Sequence, residues 1–473
     1  MVTTPVNPTV EGQSVLSTLN EDGTRRWLRP RQSKGRFLTA RRIVAWALIA
    51  IFTVTPFIKI AGKPLFLFDI PARRFTFFGY TFLPTDTVLF ALFMVGLFVT
   101  VFLVTALFGR VWCGWACPQT VYMEFVYRPI ERLFDGASGR SNKGPLGKLP
   151  PAKPLRFAVY LVVSWFLANT FLAWFVGVDR LGEWITSSPF EHPTGFVIMA
   201  IVTGLMMFDF GYFREQVCIV ACPYGRMQSV MLDRDSMIVT YDKNRGEPRG
   251  KKRKSGPDAA LGDCVDCHMC VSTCPTGIDI RNGLQMECIG CAQCIDACDS
   301  VMTKLGRDTG LIRYSSQSVI DKQSRRFLRP RIVLYPLILV ALSSVFVFLL
   351  VNKSTTDVIL LRGIGRPYME LENKMISNPV RVKIVNRTDV GAEYTIGSLT
   401  EGVTVHSERT TLAVGGGATE TVPAEVVAPL SMFSRGGLDV VILIENGAGF
   451  REEREYHMVG PAGAGRPSGG GGE

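Results

Sequence analysis

Five long apolar runs limit what this chain can fold into. They cover residues 43–60, 87–108, 157–178, 194–213 and 332–351. Each holds about 18–22 residues, enough to cross a hydrocarbon core of about 30 Å as an α-helix. Helices buried in a soluble core are usually shorter and are interrupted by polar residues. The runs therefore predict a polytopic α-helical membrane protein with five spans.

The distribution of charged residues predicts the orientation of these spans. Basic residues crowd the segment from Arg25 to Arg42 before the first run, and a second basic set lies between the second and third runs. The loop between the third and fourth runs is instead mainly acidic. Because cytoplasmic loops carry the excess of positive charge, the N-terminus is predicted in the cytoplasm and the C-terminus outside it. The net charge of +11 follows from this bias and requires no nucleic-acid partner.

All twelve cysteines are then predicted on the cytoplasmic side. Four lie where the second and fourth spans end, and eight lie in the loop between the fourth and fifth spans. Disulfides are rare in a reducing compartment. The cysteine pattern therefore indicates metal binding or redox chemistry rather than a disulfide framework.

The eight loop cysteines form two copies of one spacing. "CVDCHMCVSTCP" and "CIGCAQCIDACD" both read C-x2-C-x2-C-x3-C, the spacing that binds a cubane [4Fe–4S] cluster, with the fourth cysteine usually serving the other cluster. The predicted ligand sets are Cys264, Cys267, Cys270 and Cys298 for one cluster, and Cys288, Cys291, Cys294 and Cys274 for the other. Zinc is the alternative, although zinc sites favour two pairs separated by a longer interval. His268 is interpreted as a surface residue near a cluster, not a ligand.

The other four cysteines belong to a repeated Cys-x-x-Ala-Cys-Pro motif, with Cys113 and Cys117 in the first copy and Cys218 and Cys222 in the second. Two thiols at this spacing can chelate one soft metal ion. The following proline biases the second cysteine away from helical geometry, so each pair is predicted to straddle a helix end. Both pairs emerge at one membrane face, which predicts a shared thiolate site. The alternative is that these are apolar thiols that only pack.

Other redox features are limited. None of the four histidines lies within a span, which excludes membrane haem with two histidine ligands, and no dinucleotide-binding motif is evident. Electrons must therefore come from a partner. Met199, Met206 and Met207 with Asp209 lie near the end of the fourth span, where methionines either hold Cu(I) in transit or simply pack.

The chain divides into five predicted parts. Residues 1–42 form a basic cytoplasmic arm, 43–213 a four-span membrane region, 214–331 an inserted α+β ferredoxin domain of the bacterial two-cluster type, and 332–351 the fifth transmembrane helix. In residues 352–473, short β-rich runs separated by turns predict a C-terminal all-β immunoglobulin-like sandwich in the periplasm, followed by a disordered glycine-rich end.

Taken together, these motifs resemble the cytochrome c oxidase accessory protein family known as CcoG, FixG or RdxA. The likeness rests on the basic arm, the five spans, both Cys-Pro motifs, "CPTGIDIR", "ECIGCAQCIDACDSVM" and the β-rich tail. It implies a copper reductase that converts Cu(II) to Cu(I) for assembly of cbb3-type cytochrome c oxidase. Cys113, Cys117, Cys218 and Cys222 are the implied catalytic residues and copper ligands.

The resemblance also implies partners and a location. These are an electron donor in the cytoplasm or membrane, copper-delivery proteins, the oxidase assembly machinery and a possible homodimer, in the bacterial inner membrane. Two other functions stay open. One is a quinol-linked electron-transfer subunit, and the other is a non-enzymatic iron–sulfur scaffold or sensor, in which the four membrane-motif cysteines would be dispensable.

The predicted orientation can be tested with reporter fusions. A reporter that is active only outside the cytoplasm should work when fused after residue 360 and fail when fused near residue 250, because four spans precede the second position and five precede the first. The opposite pattern would place every cysteine on the other face and contradict the redox interpretation.

Overall fold

The computed structural model describes residue 18 and residues 24–461, apart from residues 61, 71–73, 79, 83–85, 137–143, 149–150, 251–260, 324–328, 353, 389, 408, 410 and 448. The predicted disordered end lies outside the described residues. Residues 1–17 and 19–23 of the predicted basic arm also lie outside them. The chain forms two compact units, residues 1–347 and 348–473. The predicted tail begins four residues after the start of the second unit.

Helices dominate the first unit. In chain order they are α1 Arg36–Val54, α2 Thr87–Phe108, α3 Val111–Trp115, α4 Pro118–Tyr122, α5 Arg128–Asp135, α6 Ala152–Val176, α7 Val178–Thr186, α8 Pro193–Phe208, α9 Pro223–Met231, α10 Lys243–Gly246, α11 Met269–Ser272, α12 Gln293–Lys304, α13 Gln317–Ile320 and α14 Pro330–Val351. Three π-helical turns, Met123–Tyr127, Asp209–Phe213 and Val217–Ala221, adjoin these helices.

Five helical stretches are long and apolar enough to cross a membrane. They are Arg36–Phe57, Thr87–Phe108, Ala152–Val176, Pro193–Phe213 and Pro330–Val351. All five predicted runs fall on these stretches, and the second matches its predicted bounds. Only three residues of α2 and none of α14 are fully buried. Helices of this kind need a lipid environment to cover them.

The first span begins seven residues earlier than the apolar run. Asp296 of α12 accepts hydrogen bonds from the backbone N–H groups of Phe37 and Leu38, at 3.2 and 2.8 Å. A carboxylate at this position satisfies the free N–H groups of a helix start and opposes the positive end of its dipole. The end of the predicted basic arm is therefore the first two turns of α1, and it packs on the cysteine-rich loop.

Short strands complete the first unit. Between the first two spans lie β1 Lys59–Ile60, β2 Lys63–Pro64, β3 Phe66–Asp69, β4 Arg74–Phe77 and β5 Tyr80–Phe82, and the cysteine-rich region contains β6 Ile238–Tyr241 and β7 Ile312–Ser315. β6 and β7 pair antiparallel. Their buried side chains share one core with Cys264, Cys270 and residues of α12. This small sheet is the support on which the cysteine loops are held.

The second unit is entirely β apart from short turns. Its strands are β8 Thr356–Arg362, β9 Met369–Leu371, β10 Met375–Asn386, β11 Ala392–Ser398, β12 Thr404–Ser407, β13 Thr411–Val414, β14 Thr419–Pro429, β15 Gly437–Asn446 and β16 Arg451–Val459. One antiparallel sheet has the order β12-β14-β10-β8, with β9 paired to β10, and the other has the order β13-β11-β15-β16. Buried residues of both sheets form one core. The predicted β-rich tail is thus present.

The core of the second unit gives a stability prediction. Ile442 of β15 is fully buried, whereas Ile364 is 86% exposed. In a fragment of residues 352–461, Ile442→Ala should lower the free energy of unfolding by about 2–5 kcal/mol because it removes buried methyl groups and leaves a cavity. Urea unfolding followed by circular dichroism measures this. Ile364→Ala is the control and should stay within about 0.5 kcal/mol of the parent fragment.

Candidate functional site

The structure gathers the eight loop cysteines around two neighbouring cavities. The outer cavity is lined by Cys264, Cys267, Cys270 and Cys298 and holds about 370 Å³ between protein atoms. The inner cavity is lined by Cys274, Cys288, Cys291 and Cys294, with Cys270 at its edge, and holds about 340 Å³. Each predicted ligand set, including the fourth cysteine from the other motif, therefore lies around one cavity.

The two cysteine loops have the same backbone shape. Asp266 and Gly290, the residues before the second cysteine of each loop, have φ of +52° and +67°. His268 and Ala292, the residues after it, have φ of +54° and +60° and directly precede α11 and α12 as their N-cap residues. These left-handed positions bend each loop around its cavity. Turns of this kind direct backbone N–H groups inward, as in many iron–sulfur sites.

The thiols around the cavities are suited to a group that brings positive charge. Burial raises the pKa of Cys288 and Cys291 to about 11 and that of Cys270 and Cys298 to about 12. Backbone N–H groups of Gly290 and Gln293 point at two of these sulfurs and act in the opposite direction. Thiolates are therefore favoured only once metal ions supply the compensating charge.

The spacing of the side chains also fits a cluster better than a single ion. Among the described residues, no group of three or more histidine, cysteine, aspartate or glutamate side chains is placed to hold one metal ion. A cubane needs its four thiolates at four separate irons, and a cavity surrounded by cysteines provides this. The arrangement fits two cubane clusters.

The first membrane motif packs directly on the inner cysteine loop. Cys113 shares a buried apolar cluster with Ile289 and Cys291. Next to it, a Cβ atom on Gly114 would lie 2.6 Å from the Ile289 carbonyl oxygen and 2.8 Å from the backbone nitrogen of Cys291. Only glycine permits this approach. The motif and the inner cavity are therefore neighbours through backbone contact.

Both membrane motifs break their helices as predicted. Cys117 and Cys222 have extended backbone, with ψ of 126° and 110°, and each precedes a helix that begins with proline. Cys113 lies in α3, and Cys218 lies in the π-helical turn Val217–Ala221. Each pair thus spans a break between two helices, which leaves the second sulfur free to point away from the first helix.

The four membrane-motif thiols lie close enough to influence one another. Burial raises the pKa of Cys113 to about 11, Arg110 lowers it, and Cys117 and Cys222 raise it further. Burial raises the pKa of Cys218 to about 12, and the other three thiols raise it further. The Cys117 pKa is raised by burial and also by Cys222. We refer to these four residues as the membrane thiols. The structure brings them together but does not place three of them around one point.

Gln228 connects the two motifs. Its Oε1 accepts from the Cys113 thiol at 3.2 Å, and its Nε2 donates to the Tyr224 hydroxyl at 2.8 Å and to Gly109 O at 3.2 Å. Gln228 is fully buried. Since α9 follows directly from Cys222, this side chain holds Cys113 against the helix that starts at the second motif.

A buried network of charges, which the sequence analysis did not identify, surrounds the second motif. Arg214 makes two hydrogen bonds to the carboxylate of Glu131, at 3.1 and 2.9 Å, and Arg128 pairs with Glu215 at 3.5 Å. Arg128 also donates to Pro275 O at 3.1 Å, one residue after Cys274. The only sequence signal is the i, i+4 pair of Glu124 and Arg128. The network joins the second motif to the cysteine-rich loop.

The remaining candidate residues have mainly structural surroundings. Met199 and Met206 pack into apolar clusters between spans. Asp209 accepts a hydrogen bond from Gln119 Nε2 at 3.0 Å. His268 is on the surface beside the outer cavity, and its Nδ1 lies 3.0 Å from Arg281 Nη2. The two methionines therefore pack, which was one of the two alternatives for them.

Comparisons with known proteins agree with these sites. Residues 213–317 match a family model described as a 4Fe-4S dicluster domain, residues 90–137 match a 4Fe-4S binding domain, and residues 346–461 match an "IG-like fold at C-terminal of FixG". Protein RdxA of Cereibacter sphaeroides is 31% identical over 375 residues, which cover 76% of this chain and 79% of RdxA. The chain belongs to the FixG/RdxA family.

Two further relatives support this membership. RdxB of the same organism is 31% identical over 402 residues, covering 79% of this chain and 82% of RdxB. Nitrogen fixation protein FixG of Rhizobium meliloti is 37% identical over 322 residues, but the match covers 66% of this chain and only 60% of FixG. As a FixG/RdxA family member with membrane-capable helices and 4Fe-4S domains, the chain is a membrane-bound iron–sulfur electron-transfer protein.

The contact at Gly114 can be tested by adding one methyl group. The parent protein, prepared without oxygen, should contain about eight iron and eight acid-labile sulfide per chain, as two cubanes require. Gly114→Ala should displace the Ile289–Cys291 turn and lower both values toward about four. Gly182→Ala is the control, because a Cβ there has nothing within 4 Å. Full iron content in Gly114→Ala would show that the contact is dispensable for the inner site.

Proposed function

We propose that this protein reduces Cu(II) to Cu(I) at the membrane thiols, for assembly of a cbb3-type cytochrome c oxidase. The observation that supports it most is the backbone contact between Gly114 and the turn of Cys291. Through this contact the first membrane motif, with Cys113, lies beside the inner cavity. We propose Cys264, Cys267, Cys270 and Cys298 as ligands of one cluster, and Cys274, Cys288, Cys291 and Cys294 as ligands of the other.

The second motif is also close to the inner loop. A cavity of about 290 Å³ is lined by Cys218 together with Pro275, Thr276 and Ile289. Both motifs therefore face the same part of the cysteine-rich region, one through Gly114 and one through this cavity. In the proposed reaction an electron that arrives at the inner site needs to cross only packed protein to reach either thiol pair.

The chemistry of the thiols suits copper as substrate. Cu(I) is a soft ion that prefers thiolate ligands, so a site of thiolates stabilises the reduced product relative to Cu(II). Bound [4Fe–4S] clusters supply one electron at low potential, and Cu(II) takes up that electron to give Cu(I) without a bond being broken. Cys113, Cys117, Cys218 and Cys222 bind the ion, and Gln228 positions Cys113. Because burial raises the pKa of Cys113 and Cys218, binding to these thiols releases protons.

The cellular setting is part of the same proposal. The protein would lie in the bacterial inner membrane with its N-terminus in the cytoplasm and an immunoglobulin-like tail in the periplasm. It would take electrons from a cytoplasmic or membrane donor and work with copper-delivery proteins and the oxidase assembly machinery. Its oligomer would be a homodimer. The basic arm and the predominantly acidic loop before α8 support this orientation.

One cavity favours a second function, electron transfer from quinol. About 980 Å³ of open space lies near the ends of the third and fourth spans, where Phe157, Tyr160 and Tyr212 meet Arg214 and Glu131. An amphipathic ring compound could place its apolar part against the aromatic side chains and its polar part against the charged pair. Arg214 also lines the cavity that contains Cys218, so the two spaces adjoin one side chain.

Serine substitutions separate these functions. Replacing Cys113 and Cys117, or Cys218 and Cys222, should abolish copper binding and Cu(II) reduction in either variant, because both pairs contribute to one site. Each double variant should lose about as much as the quadruple variant, since groups that act as a unit are not additive. Copper content, anaerobic Cu(II) reduction and iron content are the measurements, and iron should stay at the parent value.

The matched control is Met206→Leu, which preserves volume in a packing position and should leave copper reduction unchanged. Cells that carry either cysteine variant should make the oxidase poorly and recover partly with added copper. Normal copper reduction in both variants would contradict the copper proposal. If oxidase assembly also persisted, the membrane thiols would be packing residues or belong to a quinol-linked or scaffold protein.

A further inference from the structure

Two buried arginines contact the backbone next to the inner cavity. Arg41 of α1 is 1% exposed and donates from Nε to Gly114 O at 2.9 Å. Arg110, 7% exposed, donates from Nη2 to Gly225 O at 3.0 Å and from Nε to Gln228 Oε1 at 3.2 Å. Its Nη1 donates to Met286 O. Every one of these acceptors is neutral.

Neither guanidinium has an acidic partner within the described ranges. The ion pairs of the described residues, such as those of Arg128, Arg214 and Arg281, include neither of these two arginines. Arg41 Nη2 is buried without any hydrogen-bond partner among the described residues. A buried positive charge is costly unless a negative charge nearby compensates it. The missing compensation points to an anionic group close to both arginines.

The inner cavity is where both charges act. Arg41 donates to Gly114 O, and a Cβ atom on Gly114 would lie 2.8 Å from the backbone nitrogen of Cys291. Arg110 lines a small cavity together with Cys288 and Gly290. Glu287 directly precedes Cys288 and carries a charge opposite to that of Arg110. The two arginines therefore favour negative charge on the sulfurs of the inner cavity.

The outer cavity has its positive charge already neutralised. Arg281, which lines it, is 2.5 Å from Asp266 Oδ1 and 2.6 Å from Asp279 Oδ2. Asp299 directly follows Cys298 and adds negative charge beside it. The two cavities share one backbone shape but differ in the charge around them.

We propose that Arg41 and Arg110 are positioning residues that give the inner iron–sulfur site a higher reduction potential than the outer site. Four thiolates make a bound cubane anionic, and reduction adds one more negative charge. The net charge around a cluster is one of the factors that set its potential. Two uncompensated guanidinium groups favour the reduced state of the inner site, whereas the acidic groups around Arg281 oppose reduction of the outer one.

Two other features of the structure affect the difference in reduction potential between the inner and outer sites. Exposure of Cys267 gives the outer site more solvent, which favours its more negative reduced state. Asp296, between the two cysteines Cys294 and Cys298, is compensated by the N–H groups at the start of α1. Because buried charges interact through a low dielectric, we assign the larger effect to the two arginines.

The consequence concerns where an electron resides. A single electron added to the protein is held mainly at the inner site, beside Gly114 and Cys113, with no proton transferred and no bond changed. This inference rests on the proposed cluster ligands. It does not depend on copper, because it concerns the iron–sulfur sites alone and would hold equally for a quinol-linked protein.

The test is a redox titration of the full chain, purified without oxygen, reduced with dithionite and followed by electron paramagnetic resonance. Arg41→Gln should lower the higher of the two potentials, so that at fixed applied potential the reduced-to-oxidised ratio of that site falls at least tenfold, which is about 59 mV for one electron. The other potential should not move. Arg41→Lys keeps the charge and should restore most of the ratio.

The control is Arg42→Gln, which removes an exposed arginine one residue away on α1 and should leave both potentials unchanged. Arg281→Gln should shift the lower potential. If Arg41→Gln loses iron, Arg110→Gln removes the second charge and should lower the same potential. The proposal is overturned if an iron-replete Arg41→Gln protein keeps both potentials or shifts the lower one. Loss of iron from both arginine variants also overturns it, because the arginines would then be needed for assembly and not for potential.

Discussion

The backbone contact between Gly114 and the turn of Cys291 determines how the two groups of cysteines are arranged. A Cβ atom on Gly114 would lie 2.6 Å from the Ile289 carbonyl oxygen, so no side chain fits between the first membrane motif and the inner cysteine loop. Two hydrogen bonds support this contact from the side, because Trp115 donates to the Tyr314 hydroxyl at 3.0 Å and that hydroxyl donates to Gly290 O at 2.7 Å. The separation of the two sites is thus fixed by packed backbone and aromatic rings.

The membrane region is attached to the cysteine-rich region by a second, ionic connection. Arg128 is buried with Glu215, and it also reaches Pro275 O beside the inner cysteines. Removing one member of such a buried network leaves an uncompensated charge, which costs more than the network contributes to stability as a whole. Networks of this kind select one arrangement among several with similar packing. Here the selected arrangement puts Cys218 into a cavity with Pro275 and Thr276.

The sequence was sufficient to predict the elements that have a strong local signal. The five spans follow from apolar length, and the break at Cys117 and Cys222 follows from the proline after each. In the tail, β-rich runs of the sequence at 380–386, 392–398, 403–408, 421–427 and 438–445 correspond to β10, β11, β12, β14 and β15, whereas β8, β9, β13 and β16 were missed. In β16, Arg451–Val459, the exposed positions are mostly charged and only Tyr456 and Met458 are buried. Local composition describes an exposed edge strand poorly, since half of its side chains meet water.

Contacts between distant segments could not be predicted from the sequence. The capping of α1 by Asp296 joins residues about 260 positions apart, and nothing near either residue signals it. The same holds for Arg41 and Arg110. Both contributed only to a count of basic residues that predicts orientation, yet both are buried. Charge counting treats an arginine as solvated, and only the fold shows which ones are not.

The two cysteine loops show how a repeat can acquire different properties at its two copies. Asp266 and Gly290 occupy equivalent positions with φ of +52° and +67°, so the backbone around each cavity is the same. A glycine at the inner position permits Arg110 O to approach, since a Cβ there would lie 3.2 Å from it. The aspartate at the outer position instead pairs with Arg281. One residue difference therefore decides which loop can pack against the membrane motif and which carries its own acidic partner for a nearby arginine. The glycine lets the inner loop approach the membrane motif closely, whereas the aspartate gives the outer loop an acidic partner for a nearby arginine.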